Sequence, residues 1–153
     1  MSDDLLPALI PFFGCVIERT PEGVRLTGAS RNHMNAAALT AVAKTDSTNL
    51  RLYWHLGEVI LNWECSVRQL RVHLPDTGRQ CGIENQGFIS VDEWHEIVWE
   101  IGRDAMRVLV DGEPRFEGEG QFAAIEAPVA IGPCFGSTVT VRSFAVTEPA
   151  RRA

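Results

Sequence analysis

The stretch "EWHEIVWEIGRDAMRVLVDGEPRFEGEG", from Glu93 to Gly120, permits few folds. Large apolar residues alternate with other residues through "WHEIVWEI" and again through "AMRVLVDG", with Gly102-Arg103-Asp104 between the two runs. Such alternation marks a strand with one face in a core. Pairing Ile101 with Met106 sets Trp99 opposite Val108 and Ile97 opposite Val110, so six large apolar side chains share one face. The other row pairs Val98 with Leu109 and Glu100 with Arg107. The second of these is a cross-strand ion pair of about 0.2–1 kcal/mol. Asp111-Gly112 then marks a tight turn into a third strand, "EPRFEG".

The segment "RLYWHLGEVILNWE", from Arg51 to Glu64, sorts the same way. With Leu56-Gly57 as a two-residue loop, Leu52 faces Leu61, Trp54 faces Val59 and Leu50 faces Trp63. That row is apolar. The opposite row pairs Arg51 with Asn62, Tyr53 with Ile60 and His55 with Glu58, and Asn49 meets Glu64 just beyond. A hairpin sorted in this way has a dry face and a wet face.

The remaining segments are also strand-like. "GCVIER" and "VRLTG" flank the turn "TPEG", where Pro21 opens and Gly23 closes. "NAAALTAVAKT", Asn35 to Thr45, is alanine-rich, but it lacks a helical apolar stripe and contains Thr40 and Val42, so it reads as strand. "QLRVHLP", "CGIEN", "APVAIGP" and "STVTVRSFAVTE" complete the set. In the last, Val139 and Val141 share one parity and Phe144 and Val146 the other. Burying all four requires a bulge near Arg142-Ser143. About eleven or twelve short strands with regular turn signals predict an all-β fold, an antiparallel two-sheet β-sandwich. It is read as a single domain over residues 1–153, with 1–11 as an N-terminal arm and 149–153 as a C-terminal tail.

Composition narrows the function classes. The net charge is −6 and lysine occurs once, at Lys44. A nucleic-acid surface needs phosphate neutralisation and a membrane-binding patch needs clustered basic residues, so neither partner is expected. No apolar run is long enough to span a bilayer. The start, "MSDDLLPALIPFFG", lacks the basic n-region and small-residue cleavage site of a signal peptide, which gives a cytoplasmic expectation. Cys15, Cys65, Cys81 and Cys134 have no zinc-knuckle spacing and read as buried free thiols, with disulfides the alternative.

The segment "GFISVDEWHEIVWEIGRDAMRVLVDGEPRFEG", followed by "PVAIGP" and "STVTVRSFAV", resembles the concanavalin A-like lectin/glucanase superfamily, especially its laminin-G-like members. The residues that carry the likeness are Trp94, His95, Val110, Asp111, Gly112, Ile131, Gly132 and Phe144, all in the C-terminal part of the chain. The resemblance implies a jelly roll of two curved sheets. It also implies ligands on a sheet face or a loop rim, and in some members calcium. Asp46 with Asn49, and Asp76, are the loop residues available for calcium, but they lack a dense acidic pattern, so no cofactor and no metal ligand is assigned.

Hydrolysis of a glycan needs two carboxylates at set separations, about 5–5.5 Å or about 6.5–9.5 Å. The Glu-x-Asp-x-x-Glu run of this superfamily's hydrolases is absent. Glu58 and Glu64 are six residues apart, roughly 20 Å along a continuous strand. Glu96 and Glu100 are about 13 Å apart. No catalytic residue is assigned.

Sugar recognition needs an aromatic plate and fixed polar groups. Arg51, Tyr53, Asn62 and Glu64 on the hairpin, with Arg71 and His73 on the polar parity of "LRVHL", supply such a set if the two strands are neighbours. The expected role is non-catalytic ligand recognition, with carbohydrate as the partner. A protein-interaction or self-association module, for instance a homodimer, is the first alternative, and a glycan-acting hydrolase the second. Trp54, Trp63 and Trp99 are expected in the core and Trp94 at the rim. His95 is expected to be a hydrogen-bonded structural residue, and His33 and His55 loop residues.

Overall fold

The computed structural model describes residues 2–4, 10–32, 38–125, 127 and 129–147. Among them are thirteen strands and no helix. They are β1 (Ser2–Asp4), β2 (Ile10–Thr20), β3 (Gly23–Asn32), β4 (Ala38–Thr45), β5 (Leu50–Trp54), β6 (Gly57–Leu61), β7 (Leu70–His73), β8 (Gln80–Ile83), β9 (His95–Ile101), β10 (Ala105–Val110), β11 (Glu113–Glu119), β12 (Val129–Gly132) and β13 (Val139–Thr147). The alanine-rich segment is therefore strand from Ala38, while Asn35–Ala37, His33 and the 149–153 tail lie outside the described residues. The expected N-terminal arm contains β1 and the first residues of β2.

Every pairing is antiparallel, and the strands run β11-β10-β9-β4-β13-β3-β12-β5-β6-β7-β8, with β1 beside β13 and β2 beside β3. The ladder forms two layers because β3 changes partner along its length. Val24–Leu26 pair with β13, whereas Ser30–Asn32 pair with β12. The β2–β3 hairpin thus belongs to both sheets, one holding β11-β10-β9-β4-β13 and the other β12-β5-β6-β7-β8. At the opposite edge the layers are tied by side chains. Arg115 Nη1 on β11 donates to the carbonyls of Gln86 (2.7 Å) and Phe88 (3.1 Å), and Asp76 Oδ2 accepts from the Gln121 amide at 2.8 Å.

One apolar core lies between the sheets. Leu50, Leu52 and Trp54 meet it from β5, Ile97 and Trp99 from β9, Val108 from β10 and Phe144 from β13, all fully buried. The β9–β10 register is the one the alternation predicts, with Met106 opposite Ile101, Arg107 opposite Glu100 and Val110 opposite Ile97. The register shift between Val141 and Ser143 is the predicted bulge, and it lets both Val141 and Phe144 point inward.

The β5–β6 hairpin departs from expectation by two residues. Its loop is His55-Leu56, so Leu50 pairs with Leu61, Leu52 with Val59, Tyr53 with Glu58 and Trp54 with Gly57. His55, at φ +55°, supplies the left-handed turn residue in place of glycine. Gly57 serves a different end, since a Cβ there would lie 2.7 Å from Pro75 Cγ. A shift of two leaves the side chains of β5 and β6 on their expected faces.

The cysteine expectation is corrected in part. Cys65, Cys81 and Cys134 are free thiols, but Cys65 is exposed and the other two only half-buried. The side chain of Cys15 lies outside the described residues. Cys65 follows the end of the β5–β6 hairpin and therefore has no core face to enter.

Candidate functional site on the outer face of β5, β6 and β7

The three strands lie side by side, and two rows cross their outer face. One runs Ala130–Tyr53–Glu58–His73–Gln80 and the next Gly132–Arg51–Ile60–Arg71–Gly82. Five of the six expected residues, Arg51, Tyr53, Glu64, Arg71 and His73, therefore belong to one neighbourhood. Ile60 has outward parity yet is 3% exposed, which makes it an apolar floor between the two arginines of its row.

Asn62 does not join them. The chain turns at this residue, at φ +52°, and its side chain is 1% exposed on the inner side. Its Nδ2 donates to the carbonyls of Ser47 (3.1 Å) and Ile89 (2.9 Å), and its Oδ1 accepts from the Ile89 amide (2.8 Å). The cause is the end of β6 at Leu61, beyond which period-two alternation no longer holds. The same turn corrects the reading of Trp63. It is half-buried on the outer side, with the Arg71 guanidinium 4.2 Å from the centre of its ring, and not a core residue.

The turn also brings Glu64 back beside Glu58. Arg51 Nη1 donates to Glu58 Oε2 at 3.0 Å, Nη2 approaches Glu64 Oε2 at 3.3 Å, and Nε donates to Asn49 Oδ1 at 3.0 Å. The strand arithmetic of roughly 20 Å between the two carboxylates is overturned, because it assumed a continuous strand. Burial opposes the Arg51 charge, but Glu58, helped by Tyr53 and Cys134, outweighs it and raises the guanidinium above its usual value. The guanidinium also occupies the space between the carboxylates in which a glycosidic oxygen and a water would have to sit.

His73 Nδ1 lies 3.7 Å from Glu58 Oε1. Burial, then the neighbouring Glu58, push the Tyr53 phenol above its ordinary value, with Arg51 opposing, so Tyr53 presents a neutral hydroxyl. An aromatic residue from a distant part of the chain completes the rim. Phe135 is 71% exposed at φ +51°, and its ring centre is 5.5 Å from the Arg51 guanidinium. Its turn is held by Ser137, whose Oγ lies within hydrogen-bond distance of the carbonyls of Cys134 (3.1 Å) and Asn49 (3.2 Å). Glu58, Trp63 and Phe135 are thus site residues absent from the expected set. The turn signal at "CFGS", with an aromatic at its tip, was the available clue to Phe135.

Two other clusters have structural roles. His95 is buried, with Nδ1 2.7 Å from Asp111 Oδ2 and Nε2 2.9 Å from the Ser90 carbonyl and 3.1 Å from the Ser90 hydroxyl, which in turn contacts Glu93. Ser90, His95 and Asp111 imitate a nucleophile–base–acid set, but Nε2 already faces a backbone carbonyl, and a general base needs that position open. The cluster ties the start of β9 to the Asp111-Gly112 turn. Desolvation pushes the Asp111 carboxyl up, but bonds to His95 and from the Glu96 amide outweigh it and hold the group below its usual value.

A depressed carboxyl contributes stability above its unfolded-state value, ~3.9, and loses that contribution as pH falls through the folded-state value. The melting temperature of Asp111→Asn is therefore expected below wild type at neutral pH, with the gap narrowing as pH falls through that window. A gap independent of pH between 6 and about 2.5 would contradict this role. The second cluster is Trp94, at the rim as expected. Lys44 Nζ stands 4.7 Å and Arg142 Cζ 4.4 Å from its ring centre, so its faces are engaged by cations.

The loop carboxylates considered for calcium serve as backbone acceptors. Asp46 Oδ1 accepts from the Thr138 amide and Asp76 Oδ1 from the Thr77 amide, both at 2.8 Å. Among the described residues there is no group of three or more His, Cys, Asp or Glu arranged to hold a metal.

No protein-family model matches the chain, and no curated protein matches it significantly. Solved structures do match. A Bacillus subtilis protein of unknown function with a galectin-like fold superposes with a TM-score of 0.69 at 7% identity, over 97% of this chain and 88% of that one. The carbohydrate binding module CBM66 of Bacillus subtilis gives 0.53 at 9% identity, over 97% and 92%. A Trypanosoma rangeli sialidase gives 0.59 at 17% identity over 89% of this chain, which spans only 27% of that enzyme's length. Layers, antiparallel topology and these neighbours agree that the chain has the antiparallel two-sheet β-sandwich fold that the sequence resemblance implies.

Proposed function

We propose that the outer face of β5, β6 and β7 is a non-catalytic recognition site for carbohydrate. The observation that carries this reading is a set of polar groups locked by one another and flanked by two aromatic rings. Arg51 is held by Asn49, Glu58 and Glu64, Arg71 lies against Trp63, and Phe135 stands exposed at the edge. A sugar needs in-plane hydrogen-bond partners fixed in advance and an apolar plate for its C–H face, and groups already ordered lose little entropy on binding. The fold it shares with a carbohydrate binding module is consistent with this use.

Phe135→Ala and Trp63→Ala, tested by glycan array and then calorimetry on the strongest ligand, are each expected to weaken binding about tenfold or more, the loss of roughly 1.4 kcal/mol. Phe135→Ala should leave the melting temperature close to wild type, because the ring is exposed. Wild-type affinity in both variants, or no glycan bound by the native protein, would overturn the reading.

The exposed Phe135 also motivates a second reading, self-association through the same face. A mass of two chains by light scattering at micromolar concentration, returned to one by Phe135→Ala, would favour it over sugar binding.

A further inference from the structure

The charges on this face are unequally satisfied. Both carboxylates are committed to Arg51, Glu58 at 3.0 Å and Glu64 at 3.3 Å, and Glu58 also lies beside His73. Arg71 has no ion pair or hydrogen bond among the described residues. It rests on the Trp63 ring, and its Nε is buried without an acceptor. His73, two residues along the same strand and about 7 Å away, has a buried Nε2 that also lacks an acceptor among the described residues. Opposite Arg71 on β8 stands the exposed Gly82, over which lies the Gln69 carboxamide, itself committed to Glu84 at 2.6 Å.

We propose that the site selects an acidic saccharide, one carrying a carboxylate or sulfate, through Arg71 with His73 beside it. This rests on the carbohydrate reading above. A guanidinium stacked on an indole is restrained in one plane, and its remaining N–H groups form a fork that matches the two oxygens of an anion. Nε is closed to solvent, so a ligand anion would meet the terminal Nη groups, for which no acceptor is present among the described residues. Because the chain carries a net charge of −6, long-range attraction does not favour an anion, and selection has to come from this short-range contact.

Calorimetry with three probes tests the proposal: a hexuronate oligosaccharide, the same oligosaccharide with its carboxylates methyl-esterified, and a sulfated neutral oligosaccharide. Wild type is expected to bind the free acid at least tenfold more tightly than the ester. Arg71→Gln should bind the two alike, and Arg71→Lys should keep only part of the preference. Tight binding of the sulfated probe would identify a general anion fork, and weak binding a carboxylate-specific one; both support the role of Arg71.

Equal affinity of wild type for acid and ester, with binding still lost in Trp63→Ala, would overturn the acid selectivity while leaving the carbohydrate reading intact. An acid preference retained by Arg71→Gln would overturn the assignment to Arg71. Binding of no probe and of no array glycan would overturn both readings. The comparison of acid with ester on the native protein decides the main point even if an Arg71 variant does not fold.

Discussion

Replacing Asn62 with alanine is expected to lower the unfolding free energy by about 3–5 kcal/mol in urea titrations. The Asn62 amide satisfies three backbone groups at once, the carbonyls of Ser47 and Ile89 and the amide of Ile89, at 2.8–3.1 Å. Residue 62 and Ile89 are buried, so truncation leaves the Ile89 carbonyl and amide without partners where water is excluded, while the carbonyl of the exposed Ser47 can turn to water. Each orphaned group costs on the order of 1–3 kcal/mol, and these contributions do not simply add. Alanine at φ +52° adds about 1–2 kcal/mol of left-handed backbone strain. Asn62→Asp sharpens the test. It keeps an acceptor for the Ile89 amide but turns a carboxylate toward two carbonyls, so it should be no more stable than the alanine variant. A loss below about 1 kcal/mol in either variant would show that the latch does not hold the turn. Binding should suffer in parallel, because the turn at Asn62 is what brings Trp63 and Glu64 to the outer face.

Gly23→Ala is expected to cost about 3 kcal/mol, or to prevent folding outright, for steric reasons unrelated to hydrogen bonding. Gly23 has φ +145°, and a Cβ there would lie 2.2 Å from the Val141 carbonyl oxygen. The obstacle is backbone, so no rotamer change relieves it. Val141 is paired with Val24 and stands at the bulge that turns β13, and Gly23 begins the long strand that joins the two sheets. Relief would require β3 to move off β13, opening the sandwich at the edge where its layers are continuous. A melting temperature within about 2 °C of wild type would refute this account.

How much was legible from sequence depended on how local the information was. The β9–β10 pairing was readable to the residue, because a three-residue connection and uninterrupted alternation leave one register that buries Ile97, Trp99 and Ile101 together. In the β5–β6 hairpin the faces were readable but the register was not. Gly57 looked like a turn glycine. Its small size instead serves Pro75, eighteen positions later, while His55 takes the left-handed turn position. The bulge in β13 followed from four apolar residues that cannot all be buried on one parity, a constraint visible within a single strand.

The candidate site was legible only where its residues sit inside strands. Arg51, Tyr53, Arg71 and His73 are neighbours because adjacent strands carry them at matching parity. Asn62 and Trp63 were assigned to each other's faces, because a positive φ at one residue reverses the alternation after it. Glu58 and Glu64 were taken to be far apart for the same reason.

From sequence alone, then, came the all-β class, the antiparallel pairing of neighbouring segments and the wet and dry sides of each strand. These rest on a period-two geometry that every residue in a strand obeys. Only the folded chain decided which groups meet. It placed Phe135 over Arg51, closed Arg51 onto two carboxylates and left Arg71 stacked on Trp63 without an acceptor among the described residues. Those contacts depend on where strands stop and how layers stack, and that is set by packing between segments far apart in the chain.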